Sequence, residues 1–122
     1  MKDNSIAIFP GSFDPFHLGH LDLVERSLDV FDRLIVAVGI SGQKKGLYSP
    51  DQRINQIKTC LASQPNVEVD SFDGLLVDYM KKKNIAKIVR GIRSSLDFEY
   101  EMRMAHTNQA LYQGVELSLI HI

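Results

Sequence analysis

The sequence contains a single cysteine, Cys60, in 122 residues, so no internal disulfide is available and no cysteine-based metal cage can be assembled. Cys60 lies in a helix-like stretch, where a buried, inert thiol is expected. Apolar runs never exceed a few residues, and no basic-then-apolar leader opens the chain; the expectation is a cytoplasmic protein with neither a membrane span nor a secretory signal. Charge of one sign is also lacking. Fourteen basic residues against fifteen acidic ones leave a net charge of −1, which argues against a general nucleic-acid surface and in favour of a local site for small anions. Internal repeats, low-complexity tracts and linker-like stretches are absent, and 44% hydrophobic residues suit one domain over residues 1–122.

What the chain does have is an alternation of short apolar runs with helical periods. Ser5–Phe9, Arg33–Gly39, Asn66–Asp70, Ile85–Val89 and Val115–Ile122 read as strands. Leu21, Val24, Leu28 and Phe31 recur every three or four residues, which predicts a helix from about Gly19 to Phe31. Ser49-Pro50-Asp51-Gln52 carries a capping box with proline at the first helical position, followed by Ile54, Ile57 and Leu61 on one face. Asp73 is a candidate cap for a third helix through Lys83, and Ser95 or Asp97 for a fourth through about Leu111. Strict alternation of this kind, with right-handed crossovers, predicts a Rossmann-like, doubly wound five-stranded parallel sheet with helices on both faces and strand order 3-2-1-4-5.

In such a sheet ligands sit beyond the carboxyl ends of the strands, at the point where strand order reverses. The unusual residues of this chain fall there. Pro10-Gly11-Ser12 follows the first strand, Ser41 to Lys45 the second and Arg90-Gly91-Ile92-Arg93 the fourth. The Gly-Ser turn, with a hydroxyl on Ser12 and backbone amides at Ser12 and Phe13, resembles a phosphate cradle, although the tripeptide alone reads more readily as an ordinary strand-to-loop turn. Neither GxGxxG nor GxxxxGK[ST] is present, so hydride transfer and P-loop chemistry lose support. His17 and His20, three apart at the mouth of the first helix, lack the spacing and companions of a zinc site and read as donors to an anion at the helix N-terminus. That position disfavours an imidazolium, so a neutral ring giving one N–H is expected, with formal charge supplied by Lys44, Lys45, Arg90 and Arg93. Lys81-Lys82-Lys83 closes a helix and reads as solvated surface. No catalytic base stands among these residues. None is required where the nucleophile is itself a phosphate, a monoester with its second pKa near ~6 being mostly dianionic at neutral pH.

The segments PGSFDPFHLGH, SGQKKGLYS and IVRGIRSSLDFEYEMRMAHTN, taken together, resemble the bacterial phosphopantetheine adenylyltransferases, within the nucleotidyltransferase superfamily marked by an (H/T)xGH motif. HxGH alone identifies the superfamily; RGIR followed by DFEYEM narrows it to this member, over about Ile6 to Glu116. The resemblance implies transfer of the adenylyl group of ATP to 4′-phosphopantetheine, with Mg²⁺, giving dephospho-coenzyme A and pyrophosphate. It implies that His20 stabilises charge at the α-phosphate, with Lys44 and Arg93 also in the catalytic set. ATP contacts fall to Ser12, Phe13, His17, His20, Gly91, Ile92, Arg93 and Glu101. Lys44 and Arg90 hold the acceptor's phosphate, with Ser12 also on the acceptor side and Leu76 lining its arm. Without the resemblance, Glu101 reads as part of a solvated helix face, beside an i, i+4 pair of Glu99 and Arg103. The resemblance further implies a homo-oligomer, commonly a hexamer, and feedback by coenzyme A. The family continues into a Ser-rich ISSS-type motif that helps to bind the ATP phosphates, whereas this sequence stops at Leu119-Ile120-His121-Ile122; weaker ATP binding is the expectation. Two alternatives accompany this reading: a non-catalytic form that retains nucleotide or coenzyme A affinity, and a nucleotidyltransferase with another phosphorylated acceptor.

Overall fold

The computed structural model describes residues 3–40 and 48–121. Five strands and four helices alternate along them: β1 (Asp3–Gly11), α1 (Leu18–Ser27), β2 (Phe31–Gly39), α2 (Pro50–Cys60), β3 (Val67–Phe72), α3 (Leu76–Lys83), β4 (Lys87–Ile92), α4 (Ser95–Leu111) and β5 (Glu116–His121). The sheet is parallel throughout, in the order β3-β2-β1-β4-β5. The expected fold class and strand order are therefore those found.

A central parallel strand is covered on both faces, so it must be apolar on both, and β2 meets that demand with Leu34 through Val38 all buried. Alternate residues feed two separate cores. Ala7, Phe9, Leu34, Val36 and Val38 pack with Leu23 and Val24 of α1 and Ile57 of α2 on one face. Ile8, Ile35 and Ala37 pack with Tyr79 and Met80 of α3 on the other. Each fully buried aliphatic side chain contributes about 1.5–3 kcal/mol. The second face is also tied by charge: Tyr79 donates from its hydroxyl to Asp70 Oδ2 at 2.7 Å, and Lys83 Nζ lies 3.4 Å from the same oxygen. Burial alone would raise the Asp70 carboxyl, but the bonds from Tyr79 and the Ser71 N–H, with Lys83 beside them, hold it below its ordinary value.

The element boundaries correct the sequence reading at several points. α1 ends at Ser27, with Leu28 as its C-cap, and Phe31 opens β2 instead of closing the helix. Its ring still enters the α1 core, which is why it kept the helical period. Ser49 and Gln52 form the expected capping box on α2. Asp73, by contrast, does not cap α3, whose N-cap is Leu75 without a side-chain bond. α4 is capped by Ser94, one residue before the expected Ser95, and Asp97 is the residue whose N–H it accepts. Cys60 is exposed, not buried, at the last position of α2.

Candidate active site

The carboxyl ends of β1 and β4 lie side by side at the switch point, and α1 and α4 begin just beyond them. A polar cavity of about 540 Å³ opens there, lined among others by Ser12, Phe13, His17, His20, Arg90, Gly91, Arg93 and Glu101. The histidine stretch and the arginine stretch thus face one space, as the sequence reading required. Of the other expected site residues, Leu76 lines a second cavity, described below. Ile92 ends β4 without lining the polar cavity, and Lys44 lies outside the described residues.

The two histidines are used differently from a simple pair of donors. His17 is the N-cap of α1, and its Nδ1 accepts the Gly19 N–H at 3.1 Å. His20, at the third helical position, turns its Nδ1 back to accept the His17 N–H at 3.0 Å, so the pair forms a capping box made of imidazoles. The rings stack with centroids 3.7 Å apart. Gly19 between them is dictated by space, since a Cβ there would stand 3.0 Å from the His17 ring. With Nδ1 an acceptor, the neutral His20 must carry its hydrogen on Nε2, which fixes the tautomer. Phe13 and Phe16 pack around the ring at 4.9 and 5.3 Å between centroids. That burial, with the charges of His17, Arg93 and Arg90, lowers the His20 pKa to about 4. The first turn of α1 contains no acidic residue, which leaves its partial positive charge for an anion in the cavity.

Opposite, Arg90 on β4 is gripped on two sides. Its Nε and Nη2 bind Glu101 Oε2 at 2.9 and 2.8 Å, and Nη1 donates to the Pro10 carbonyl at 2.9 Å. A guanidinium has five N–H donors; these bonds use three and leave one on each terminal nitrogen. Glu101 is only 6% exposed, so the solvated helix face expected from the Glu99 and Arg103 spacing is corrected: its carboxylate is the buried counter-ion of Arg90. Arg93 is exposed at the mouth of the cavity, where its backbone N–H donates to Asp97 Oδ2 at 3.0 Å.

A second cavity of about 240 Å³ lies on the other side of Arg90 and is largely apolar, walled by Phe72, Leu76, Ile88, Met104, Val115 and Leu117. Five residues line both spaces: Pro10, Gly11, Arg90, Tyr100 and Glu101. Sequence reasoning missed Tyr100, and it missed Arg53, which reaches from α2 to donate to the Ser12 carbonyl at 2.8 Å. The signal for Arg53 was an arginine four residues before Ile57, on the buried face of α2. Tyr100 offered no signal beyond its place in the DFEYEM segment.

A polar anion cradle meeting an apolar slot at one arginine is a site for joining a phosphorylated, partly apolar molecule to a nucleotide. The family model described as cytidylyltransferase-like matches residues 8–120, which agrees with that class. Phosphopantetheine adenylyltransferases are the relatives at high identity. That of Synechocystis sp. is 52% identical over 111 residues, 91% of this chain and 70% of the relative, and that of Clostridium perfringens is 50% identical over 91% of this chain and 68% of the relative. The Cyanothece sp. protein is 49% identical, with 66% of its length covered. The chain belongs to the phosphopantetheine adenylyltransferase family and spans about two thirds of the length of these relatives. Two solved structures share the fold at low identity. A bifunctional NMN adenylyltransferase/ADP ribose pyrophosphatase from Francisella tularensis matches with a TM-score of 0.68 and 21% identity, over 98% of this chain and 38% of that one. A lipopolysaccharide core biosynthesis protein from Thermoplasma volcanium matches with a TM-score of 0.67 and 19% identity, over 98% and 97%.

Proposed function

We propose that this chain transfers the adenylyl group of ATP to 4′-phosphopantetheine, releasing pyrophosphate and forming dephospho-coenzyme A. The observation that carries the reading is the shared wall: a polar cavity suited to a polyphosphate and an apolar one suited to a pantetheine arm meet at Arg90. Family membership supports the identity of both substrates.

In this reading ATP lies in the polar cavity, its phosphates against the Ser12 and Phe13 amides and the start of α1, with Gly91 and Arg93 along the β4 side. The pantetheine arm runs past Leu76, and its phosphate meets the two remaining N–H groups of Arg90, while Lys44 adds a point charge. Glu101, which the resemblance places on ATP, acts in this reading on the acceptor phosphate through the arginine that it holds. An oxygen of the acceptor phosphate attacks the α-phosphorus; the new P–O bond forms as the bond to the β-phosphate breaks, and pyrophosphate departs. Because the nucleophile is already an anion, the residues need only hold two anions in line and neutralise the charge that develops. His20 Nε2–H is the donor aimed at that charge, and His17 keeps it there. Mg²⁺ is proposed to arrive on the ATP phosphates, the usual habit of this ion, which suits a site whose described residues contain no cluster of three His, Cys, Asp or Glu. Bound there, it would supply charge neutralisation.

The same proposal includes a cytoplasmic location, a homo-oligomer and coenzyme A as a feedback ligand, all on family membership. Among the described residues no helix is long and apolar enough to cross a membrane. Incubation with ATP, Mg²⁺ and 4′-phosphopantetheine, followed by detection of pyrophosphate and dephospho-coenzyme A, tests the reaction. Nucleotide binding without turnover would reject catalysis by this chain, and turnover with a different phosphorylated acceptor in preference would reject the substrate.

A further inference from the structure

Arg53 is buried, 7% exposed, near the start of α2, and the reaction above makes no use of it. Its Nη1 donates to the Ser12 carbonyl at 2.8 Å, and its Nε is buried with no hydrogen-bond partner among the described residues. A guanidinium withdrawn from water for one backbone carbonyl is a poor stability device, since an apolar side chain of similar volume would serve as well. The loop that it holds is the one expected to cradle phosphates.

Phe13 has φ of +49°, in the left-handed region that a non-glycine side chain disfavours. Its ring cannot move to relieve this, being packed against Phe9, Phe16 and His20. One relief remains. Rotating the Ser12–Phe13 peptide plane by about half a turn changes ψ of Ser12 and φ of Phe13, returns Phe13 to negative φ and leaves both side chains in place. In that trans peptide the C=O and N–H point in opposite directions, so the rotation would swing the Ser12 carbonyl to where the Phe13 N–H now points. Arg53 opposes it by binding the carbonyl from the α2 side. Arg53 does not line the polar cavity, whereas Ser12 and Phe13 do. The next residue is held by the segment just before α2, because the Tyr48 N–H donates to Asp14 Oδ1 at 2.9 Å.

We propose that Arg53 is a positioning residue: by holding the Ser12 carbonyl toward α2 it keeps the Phe13 N–H turned into the polar cavity as a donor to the phosphates of ATP. The inference rests on reading that cavity as the ATP site. Without the latch, a carbonyl oxygen would face the polyphosphate in place of an N–H.

Arg53→Met removes the latch while keeping an unbranched side chain in the buried space, and Arg53→Lys keeps a charge and a single donor. The ligand-free crystal structure of R53M should show the Ser12–Phe13 peptide rotated. Calorimetric titration should show ATP bound about tenfold more weakly, with 4′-phosphopantetheine within about twofold of the parent, and R53K about threefold weaker for ATP. An unrotated peptide overturns the inference. So does ATP affinity within twofold of the parent, or an equal loss for both ligands, which is the mark of a merely structural role. If R53M does not fold, the titrations on R53K decide: ATP affinity within twofold of the parent, or an equal loss for both ligands, overturns the inference. A parent chain that binds no ATP, together with a rotated peptide in R53M, would overturn the reading of the cavity and leave the latch standing.

Discussion

Replacing His20 is the sharpest test of the proposed chemistry, because the structure leaves its ring one outward donor. Nδ1 is occupied by the His17 N–H at 3.0 Å, so only Nε2–H can meet the α-phosphate. Loss of one oriented donor to developing charge costs roughly 10²–10³-fold in kcat, about 2.7–4 kcal/mol. His20→Ala should fall in that range with the KM values for ATP and acceptor little changed, since the donor acts most strongly in the transition state. The structural side effect is smaller: the alanine variant loses ring contacts with Phe13 and Phe16 and leaves the exposed His17 N–H to water, together about 1 kcal/mol. Two further variants separate these roles. The Asn side chain in His20→Asn can accept the His17 N–H but cannot reach the phosphate, so it should restore the helix start and leave kcat as low as in the alanine variant. His20→Gln extends an amide to about the Nε2 position and should recover about tenfold. Steady-state kinetics of pyrophosphate release, with urea denaturation as the control for folding, measures all three. An asparagine variant within threefold of the parent would remove the Nε2 donor from the mechanism, and an alanine variant whose defect lay entirely in KM would make His20 a ground-state binder.

Three other outcomes are expected. His20 titrates at about 4 in the fold against an ordinary 6.5, so between those values the unfolded chain binds a proton that the native ring refuses. The stability contribution is complete above about pH 6.5 and is lost as pH falls toward 4, and urea midpoints at pH 7 and 5 should differ less in H20N than in the parent; equal differences would refute the assignment. Glu101→Gln should destabilise the chain by about 2–3 kcal/mol and raise the acceptor KM. The penalty lies below that of a fully buried pair because the Arg90 side chain remains 32% exposed; urea denaturation and acceptor titration check both, and an unchanged stability would deny the pair its role. Leu76→Glu places a carboxylate in the apolar cavity and should raise the acceptor KM by at least about tenfold with ATP affinity unaltered, while an unchanged acceptor KM would put the pantetheine arm elsewhere.

Much of this was legible in the sequence, and the gaps have physical reasons. The sheet order and the meeting of the HxGH and RGIR segments followed from strand and helix alternation, because a parallel sheet with right-handed crossovers admits few arrangements. Element ends were less legible: Phe31 obeyed the helical period because strand and helix feed one core, and periodicity reports the core without naming the element. Cys60 was misread because α2 is only partly covered at its last turn. Neutral His20 was anticipated, but from the helix terminus, whereas burial among aromatic rings is the larger cause. Glu101 looked solvated because its partner Arg90 is eleven residues away on another element, beyond the reach of any local rule. Arg53 escaped for the same reason: its partner is a backbone carbonyl, and a carbonyl leaves no mark in a sequence.

The capping geometry of His17 and His20 has a chemical consequence for the solvent that shares the cleft. An imidazole can strip a proton from water only through a bare ring nitrogen, and His20 has none: one is committed to a backbone N–H and the other already carries hydrogen. In the proposed reaction, the donor assigned to the α-phosphorus is therefore able to give but not to take. In an open cleft where water outnumbers every acceptor, a ring so wired cannot recruit it as the nucleophile, and ATP in the proposed site would be spared wasteful cleavage by the same backbone turn that begins the first helix.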